Sequence, residues 1–472
     1  MGTLKTAVIR SSWMEGYGYR LDTKPYVGGA LEAKVLLESL PLPKHFVRDI
    51  VSPEYGGIYF AGRESVQWVE SPELGIPFLR GKDIQVADLS HSPFISKRQV
   101  ATNPTFLLRK GMTLITRSGT IGKTAYVRAE MDGMATSDPL RIVPDPRKIQ
   151  PGYLYAYLSS DFGVPLLASG AYGAIIQHIE PSDIASIPVP RLGDALEHEI
   201  HTLVEQAAEL RTSASVELRK VNDFLLRTLG APPDLGLSRA GTLTSVVANG
   251  EMLQRRRFDP WFFNGRAVTV DRWVTTHKNG HWKLAEVAEV FGMSPFKRVY
   301  VNDGEQGIGF FGSADIFKLD RTPAAYISRA ATKAVEDYVL SRGAVLLASY
   351  GQLNGIIGLP QLVDSALAGM AASNHVLRIV PRAGKILAGY LFAYLALDEI
   401  GYPLIARTAT GDSIPEIWST YLNGIPILKA PQKAMEAVDA QVVEAFEMRV
   451  RATKLETEAR NRLEAALKQS AN

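Results

Sequence analysis

The chain spells most of its structural vocabulary twice, and that limits its fold more than any other property. Ile76-Pro77-Phe78-Leu79-Arg80-Gly81-Lys82-Asp83-Ile84 returns as Ile308-Gly309-Phe310-Phe311-Gly312-Ser313-Ala314-Asp315-Ile316. Leu140-Arg141-Ile142-Val143-Pro144 returns as Leu377-Arg378-Ile379-Val380-Pro381, and Gly152-Tyr153-Leu154-Tyr155-Ala156-Tyr157-Leu158 as Gly389-Tyr390-Leu391-Phe392-Ala393-Tyr394-Leu395. Shorter words repeat too: Arg20-Leu21-Asp22 as Arg257-Phe258-Asp259, and Ile187-Pro188 as Ile425-Pro426. The offset drifts only from 232 (Ile76 to Ile308) to 238 (Ile187 to Ile425), so a few short insertions separate two copies. A period this long exceeds any solenoid repeat. What is duplicated is a domain, and each copy ends in a long charged segment rich in Ala and Leu. Two such copies imply a pseudo-twofold molecule with two similar but unequal surfaces.

Within the first copy, residues 1–190 read as one unit of α/β (α+β) class, since short apolar runs alternate with Gly, Pro, Ser and Asp. Thr113-Leu114-Ile115-Thr116 and Leu140-Arg141-Ile142-Val143 predict strands, and Tyr153 to Ser159 predicts a helix with an aromatic inner face. Pro188-Val189-Pro190 is expected to close the unit, because two prolines cannot continue a ladder or a helix.

From Asp194 to Leu229 the period changes to threes and fours. Leu196, Ile200, Leu203, Ala207, Leu210, Ala214, Leu218, Val221 and Leu225 form one stripe, with Glu, Arg and Lys opposite. Asp194 suits a cap and Gly230 a stop. At 1.5 Å per residue the helix measures about 54 Å. A linker begins at Gly230-Ala231-Pro232-Pro233-Asp234. The second unit then runs to 428, and a second helix spans 432–467 with a stripe of Met435, Val438, Val442, Ala445, Met448, Ala452, Leu455, Ala459 and Leu463. The division is therefore 1–190, 191–231, 232–428 and 429–472. An exposed apolar strip marks an interface, and each helix is the economical partner of the other. Pseudo-twofold symmetry makes that pair antiparallel, a coiled-coil-like stalk whose packing residues include Leu196, Ile200, Leu203, Leu210, Leu218, Val438, Val442, Leu455 and Leu463.

Composition narrows the function. With 472 residues the chain is too long for one core. Net charge is +3, so any basic surface must be local. There is no cysteine, which excludes disulfides, thiolate nucleophiles and Cys-based zinc sites. No secretory signal and no membrane span are expected, and a cytoplasmic location fits a chain free of Cys.

The loop Thr116-Arg117-Ser118-Gly119-Thr120-Ile121-Gly122-Lys123-Thr124 invites a phosphate-loop reading through its Gly-Lys-Thr. That motif needs Gly five residues before Gly122, where Arg117 stands, and the second copy, Ser349-Tyr350-Gly351-Gln352-Leu353-Asn354-Gly355, has no Lys. Two readings remain: a tight hairpin whose glycines serve turns, or a polar tip presented to a ligand. Matching frames with unlike tips suit two different recognition specificities. A second loop pair runs Ala171-Tyr172-Gly173-Ala174-Ile175-Ile176-Gln177-His178 and Ala409-Thr410-Gly411-Asp412-Ser413-Ile414-Pro415-Glu416, and its Gly173 and Gly411 suit either a close approach to a sugar-phosphate backbone or a turn.

Phosphate neutralisation needs local basic clusters, and Arg, Gln and Asn can read base edges. Each copy has such a cluster. The candidate DNA contacts are Lys82, Lys97, Arg98, Arg117, Ser118, Thr120, Lys123 and Tyr172 in the first unit, and Lys297, Arg298, Lys318, Tyr350, Gln352, Asn354 and Thr410 in the second. Catalysis finds little support. The eight His form no H-E-x-x-H pair, and no Ser stands in G-x-S-x-G. Ser137-Asp138-Pro139 and Ser373-Asn374-His375 lack the aromatic of the amino-methyltransferase D/N-P-P-Y motif. No catalytic residue and no metal ligand is expected.

Two globular units, each followed by a long helix, resemble the specificity (S) subunit of type I restriction-modification enzymes. Gly111-Met112-Thr113-Leu114-Ile115-Thr116-Arg117-Ser118-Gly119-Thr120-Ile121-Gly122-Lys123 is similar to that family's G-D-I-L-I-(T/S)-R-x-G-T-I-G-K stretch. Tyr153 to Leu158, Ala171-Tyr172-Gly173 and Ile187-Pro188-Val189-Pro190 follow in the family's order. In the second copy Leu346-Leu347-Ala348-Ser349-Tyr350-Gly351-Gln352 departs, lacking the Arg and Lys. The resemblance implies target recognition domains that each read half of an interrupted double-stranded DNA sequence, spacer helices that set the gap, and docking of two DNA adenine methyltransferase subunits. S-adenosylmethionine would belong to those partners, so no cofactor is expected here, and a motor-nuclease subunit can join. The alternative is a duplicated DNA- or protein-binding scaffold of another defence complex.

Overall fold

The computed structural model describes residues 8–11, 14, 26, 28–119, 121–170, 178–233, 252, 257, 259, 261–353, 355–411 and 413–471. Arg20-Leu21-Asp22, Thr120, Tyr172, Gly173, Arg255, Arg256, Phe258, Asn354 and most of the linker lie outside them. The chain divides into two compact units, residues 1–212 with 451–472, and residues 213–450.

In the first unit a four-stranded antiparallel sheet has the order β2 (Ile58–Tyr59), β9 (Leu140–Ile142), β6 (Thr113–Ile115), β7 (Thr124–Tyr126). Strands β6 and β9 are buried at every position, so they read as continuous rather than alternating apolar words. A second sheet has the order β3 (Trp68–Val69), β5 (Phe94–Ser96), β4 (Gly75–Leu79), β8 (Ala135–Thr136), with β4 and β8 parallel. A two-stranded pair joins β1 (Lys44–Phe46) to β10 (Pro188–Pro190).

The second unit repeats this strand for strand. Its sheets run β12 (Ala288–Phe291), β19 (Val376–Pro381), β16 (Val345–Ala348), β17 (Pro360–Leu362), and β13 (Tyr300–Val301), β15 (Ala325–Ser328), β14 (Gly307–Phe311), β18 (Ala371–Ala372). Again one pair, β14 with β18, is parallel. The pair β11 (His281–Lys283) with β22 (Pro426–Leu428) matches β1 with β10, and a short pair β20 (Ala409–Thr410) with β21 (Glu416–Ile417) completes the set.

The proline segment corrects the sequence reading. Pro188-Val189-Pro190 does not stop a ladder; it forms β10, antiparallel to β1. The pair has only two strands, so the two missing N–H groups leave no second neighbour unserved. The carbonyls are used instead. The hydroxyls of Tyr153 and Tyr157 donate to Pro190 O (2.5 Å) and Pro188 O (2.6 Å). Those of Tyr390 and Tyr394 donate to Leu428 O (2.7 Å) and Pro426 O (2.9 Å).

The tyrosines stand on α1 (Pro151–Leu158) and α3 (Ala388–Ala396). Sequence suggested one inner face for α1, yet Gly152 to Leu158 are all buried, because sheet and long helix cover it together. Glycine is needed where α1 meets that long helix. A Cβ on Gly152 would lie 2.7 Å from His201 Nδ1, and one on Gly389 2.8 Å from Asp439 Cα. The freed N–H groups are capped from the long helices: Gly152 N–H donates to His201 Nδ1 (3.1 Å), Gly389 N–H to Asp439 Oδ1 (2.6 Å).

The long helices are α2 (Asp194–Leu229, 36 residues) and α4 (Gln432–Ser470, 39 residues). In the first unit Ile200, Val204 and Ala208 share a core with Ala459, Leu463 and Leu467. Glu199 pairs with Arg462 and Arg211 with Glu456, so partner numbers fall as helix numbers rise and the two segments are antiparallel. In the second unit Val221, Leu225 and Leu229 share a core with Met435, Val438, Val442 and Phe446. Among the described residues no helix is long and apolar enough to cross a membrane.

Candidate nucleic-acid interface

Of the candidate contacts in the first unit, Lys82, Lys97, Arg98 and Lys123 are exposed. Lys97 Nζ donates to Glu73 O (2.7 Å). Lys82, Arg98 and Lys123 make no ion pair among the described residues. Arg117 is turned inward. Its guanidinium lies over the Phe60 ring at 4.0 Å, its Nη2 pairs with Glu180 (2.5 Å), and its Nε donates to Ile179 O (3.2 Å). In the second unit Lys297 is exposed. Arg298 donates to Asn374 (3.1 Å) and lies over Phe296 and Phe310, while Lys318 pairs with Asp315 (2.5 Å). Gln352 donates to Ser413 O (3.1 Å) and Thr410 to Glu416 O (3.3 Å). Arg257, of the repeated Arg-x-Asp word, is buried; it pairs with Asp259 (2.6 Å) and donates to Ala409 O (3.0 Å).

What the sheets bring together is a triangle at the β6–β7 and β16–β17 tips. Ser118 bridges to His178 through the backbone, and Tyr350 bridges to Glu416. Ile179 N–H donates to Arg117 O (3.2 Å), and Ile417 N–H to Ser349 O (2.8 Å). The third corner is the turn before β9 or β19. The Ser118 hydroxyl donates to Asp138 Oδ1 (3.0 Å) and lies 3.1 Å from His178 Nδ1. In the second unit the Tyr350 ring meets His375 edge-on (4.8 Å, 86°), and its hydroxyl bonds the Glu416 carboxylate. That bond, helped by partial burial, raises the Tyr350 pKa above its ordinary value.

Behind each triangle sits a buried arginine. Arg141 donates to the carbonyls of Thr136, Pro139 (3.1 Å), Phe106 (3.3 Å) and Ser137 (3.4 Å). Arg378 donates to Val376 (2.7 Å), Ala372 (3.1 Å) and Tyr338 (3.3 Å). Phe106 and Tyr338 occupy matching positions, as do Thr136 and Ala372. Burial pushes both guanidinium pKa values down to about 10, still cationic at neutral pH. Each arginine draws the turn that carries Asp138 or His375 onto the sheet. Sequence showed the repeated Leu-Arg-Ile-Val-Pro word without this role. Asp138 and His375 enter the sequence reading only as parts of an incomplete D/N-P-P-Y match, and neither they nor His178 and Glu416 are among its candidate DNA contacts.

On the long helices Ile200, Val438, Val442 and Leu463 are fully buried, while Leu196, Leu203, Leu210, Leu218 and Leu455 are half-buried. The first unit's seam also carries Arg211 bound to Glu456 through both carboxylate oxygens, both residues buried. Among the described residues no group of three or more His, Cys, Asp and Glu could hold a metal ion.

No family model and no curated protein matches the chain. Solved structures do. The type I restriction-modification S subunit from M. genitalium overlaps 91% of this chain and 96% of its own at 11% identity, TM-score 0.37. The HsdS subunit from Thermoanaerobacter tengcongensis overlaps 91% and 97% at 16% identity, TM-score 0.28. A chain solved in work on assembly and conformational transition of the type I R-M system overlaps 92% and 98% at 15% identity, TM-score 0.29.

Proposed function

We propose that the chain is the DNA-specificity subunit of a type I restriction-modification complex, reading an interrupted target with one unit per half. The observation that supports this best is the pairing of one backbone frame with two chemistries. Sheet order and the arginine clamp agree between units, whereas the tip residues differ. Exposed Lys82, Arg98, Lys123 and Lys297 supply phosphate contacts that position each unit, and the tips supply base contacts that specify. Long helices paired by apolar and ionic contacts suit a rigid spacer. The chain supplies the address in the cytoplasm; two adenine methyltransferase subunits supply S-adenosylmethionine and the chemistry, and a motor-nuclease subunit is a further partner. Co-expression with the methyltransferase, followed by sequencing of methylated adenines, tests this. The expected result is a two-part motif with a fixed gap. Methylation that is unchanged when the chain is omitted overturns the reading. Binding that hardly weakens as salt rises also counts against it, because phosphate contacts impose a steep dependence.

A further inference from the structure

The two triangles contain the same three functional groups in a different order. Each has a hydroxyl on the tip strand, Ser118 or Tyr350. The turn position carries a carboxylate in the first unit, Asp138, and an imidazole in the second, His375. The returning strand carries the reverse, His178 and then Glu416. Carboxylate and imidazole have exchanged corners on one frame.

A hydrolase relay does not fit. There the imidazole stands between hydroxyl and carboxylate; here the hydroxyl stands between the other two, since Ser118 donates to Asp138 and so accepts from His178 Nδ1–H. In a neutral imidazole that bond leaves His178 Nε2 as a second acceptor beside the other oxygen of Asp138. Asp138 Oδ1 accepts from Ser118 and lies 3.7 Å from Arg117 Nη1, which offsets its repulsion of phosphate and leaves the other oxygen to accept from a base amino group, N4 of cytosine or N6 of adenine. In the second unit Glu416 offers the same acceptor from the opposite corner.

Resting on the DNA-reading function above, we propose that residues 118, 138 and 178 set the base preference of the first unit, and residues 350, 375 and 416 that of the second, with Asp138 and Glu416 each accepting from a base amino group in the major groove. Exchange of the two corners places that acceptor differently on the two frames, so the half-sites are unlike.

The test uses the full chain in its methyltransferase complex, with D138N and E416Q. Both substitutions keep the shape and turn an acceptor oxygen into a donor. Competition binding with duplexes altered at single base pairs, at two salt concentrations, is read alongside the methylated motif. D138N is expected to shift preference about tenfold at one base pair of the first half-site, leaving the second half-site and the gap as they were. E416Q does the reverse. Neither changes the salt dependence, because no phosphate contact is lost. Wild-type preference at every position in both variants overturns the assignment, as does a changed salt slope with unchanged preference. Failure of both variants to assemble would show that these groups hold the fold, and overturns it equally. A wild-type complex with no two-part motif sinks the function itself; a wild-type motif that neither variant moves sinks only the residue assignment.

Discussion

In the first unit Lys110 and the Tyr126 hydroxyl both reach Glu205 of α2, Lys110 at 2.7 Å. In the second, Arg342 and the Ser365 hydroxyl both reach Glu447 of α4, at 3.0 and 2.6 Å. Arg342 follows Lys110 by 232 residues, the sheet offset, but Glu447 lies one turn beyond the place that the helix offset of 238 would give. The buried frame has been copied closely, down to which carbonyls Arg141 and Arg378 bind, while the grip of each frame on its long helix has drifted by a turn. A dehydrated cation bound by several carbonyls tolerates no shift, since each lost bond leaves a buried group unserved. An exposed ion pair can be rebuilt a turn away at little cost.

The helix seams differ too. Arg211 of the first unit corresponds to Arg449 of the second, but Glu456 corresponds to Leu218. Replacing Glu456 by Leu makes the first seam chemically like the second, and is expected to have the largest effect. It removes the Glu456 carboxylate from the buried pair with Arg211 and is expected to cost about 3–5 kcal/mol in urea denaturation. R211M/E456L together should recover most of that loss. A single E456L within about 1 kcal/mol of wild type breaks the contrast between the seams.

Arg141→Met and Arg378→Met test how alike the frames are. Each strands several buried carbonyls and is expected to cost about 2–3 kcal/mol. Losses differing by more than about 1 kcal/mol would show that the two clamps are not equivalent.

The caps on α1 and α3 differ in chemistry and therefore in pH response. Burial holds the His201 pKa below its ordinary value, and its Nδ1 accepts from Gly152 N–H only while unprotonated. A lowered folded pKa means that the contribution is complete above the unfolded histidine value of about 6.5 and fades as pH falls through the folded one. His201→Asp, which copies Asp439, should flatten the urea midpoint between pH 7 and 5. An unchanged slope would remove His201 as the cause.

The smallest effect is expected at the drifted grips. Lys110→Ala and Arg342→Ala remove exposed pairs and should each cost about 0.5 kcal/mol or less, shrinking further in salt. A loss near 2 kcal/mol at either would mean that the grip is part of the frame after all.

Much of the frame was legible because its signals are local. The stripe from Leu196 to Leu225 needs only helical period, and the strands around Leu114 and Ile142 only apolar words between turn residues. Pro188-Val189-Pro190 misled because proline reports the loss of a donor, whereas β10 is held by β1 and by tyrosine hydroxyls from α1. The tip was harder still. Nothing near Arg117 announces that Phe60 and Glu180 receive it, or that Ser118, Asp138 and His178 meet from three segments.

Sequence alone determined the duplication, the two long amphipathic helices and the recurrence of one sheet vocabulary, because these follow from word repetition and from hydrophobic period. Tertiary structure decided which polar groups face each other: the arginine clamps, the Arg211–Glu456 pair and the exchanged corners of the two tips. Such contacts join residues tens to hundreds of positions apart, and their energies depend on distance and burial, which residue order does not record.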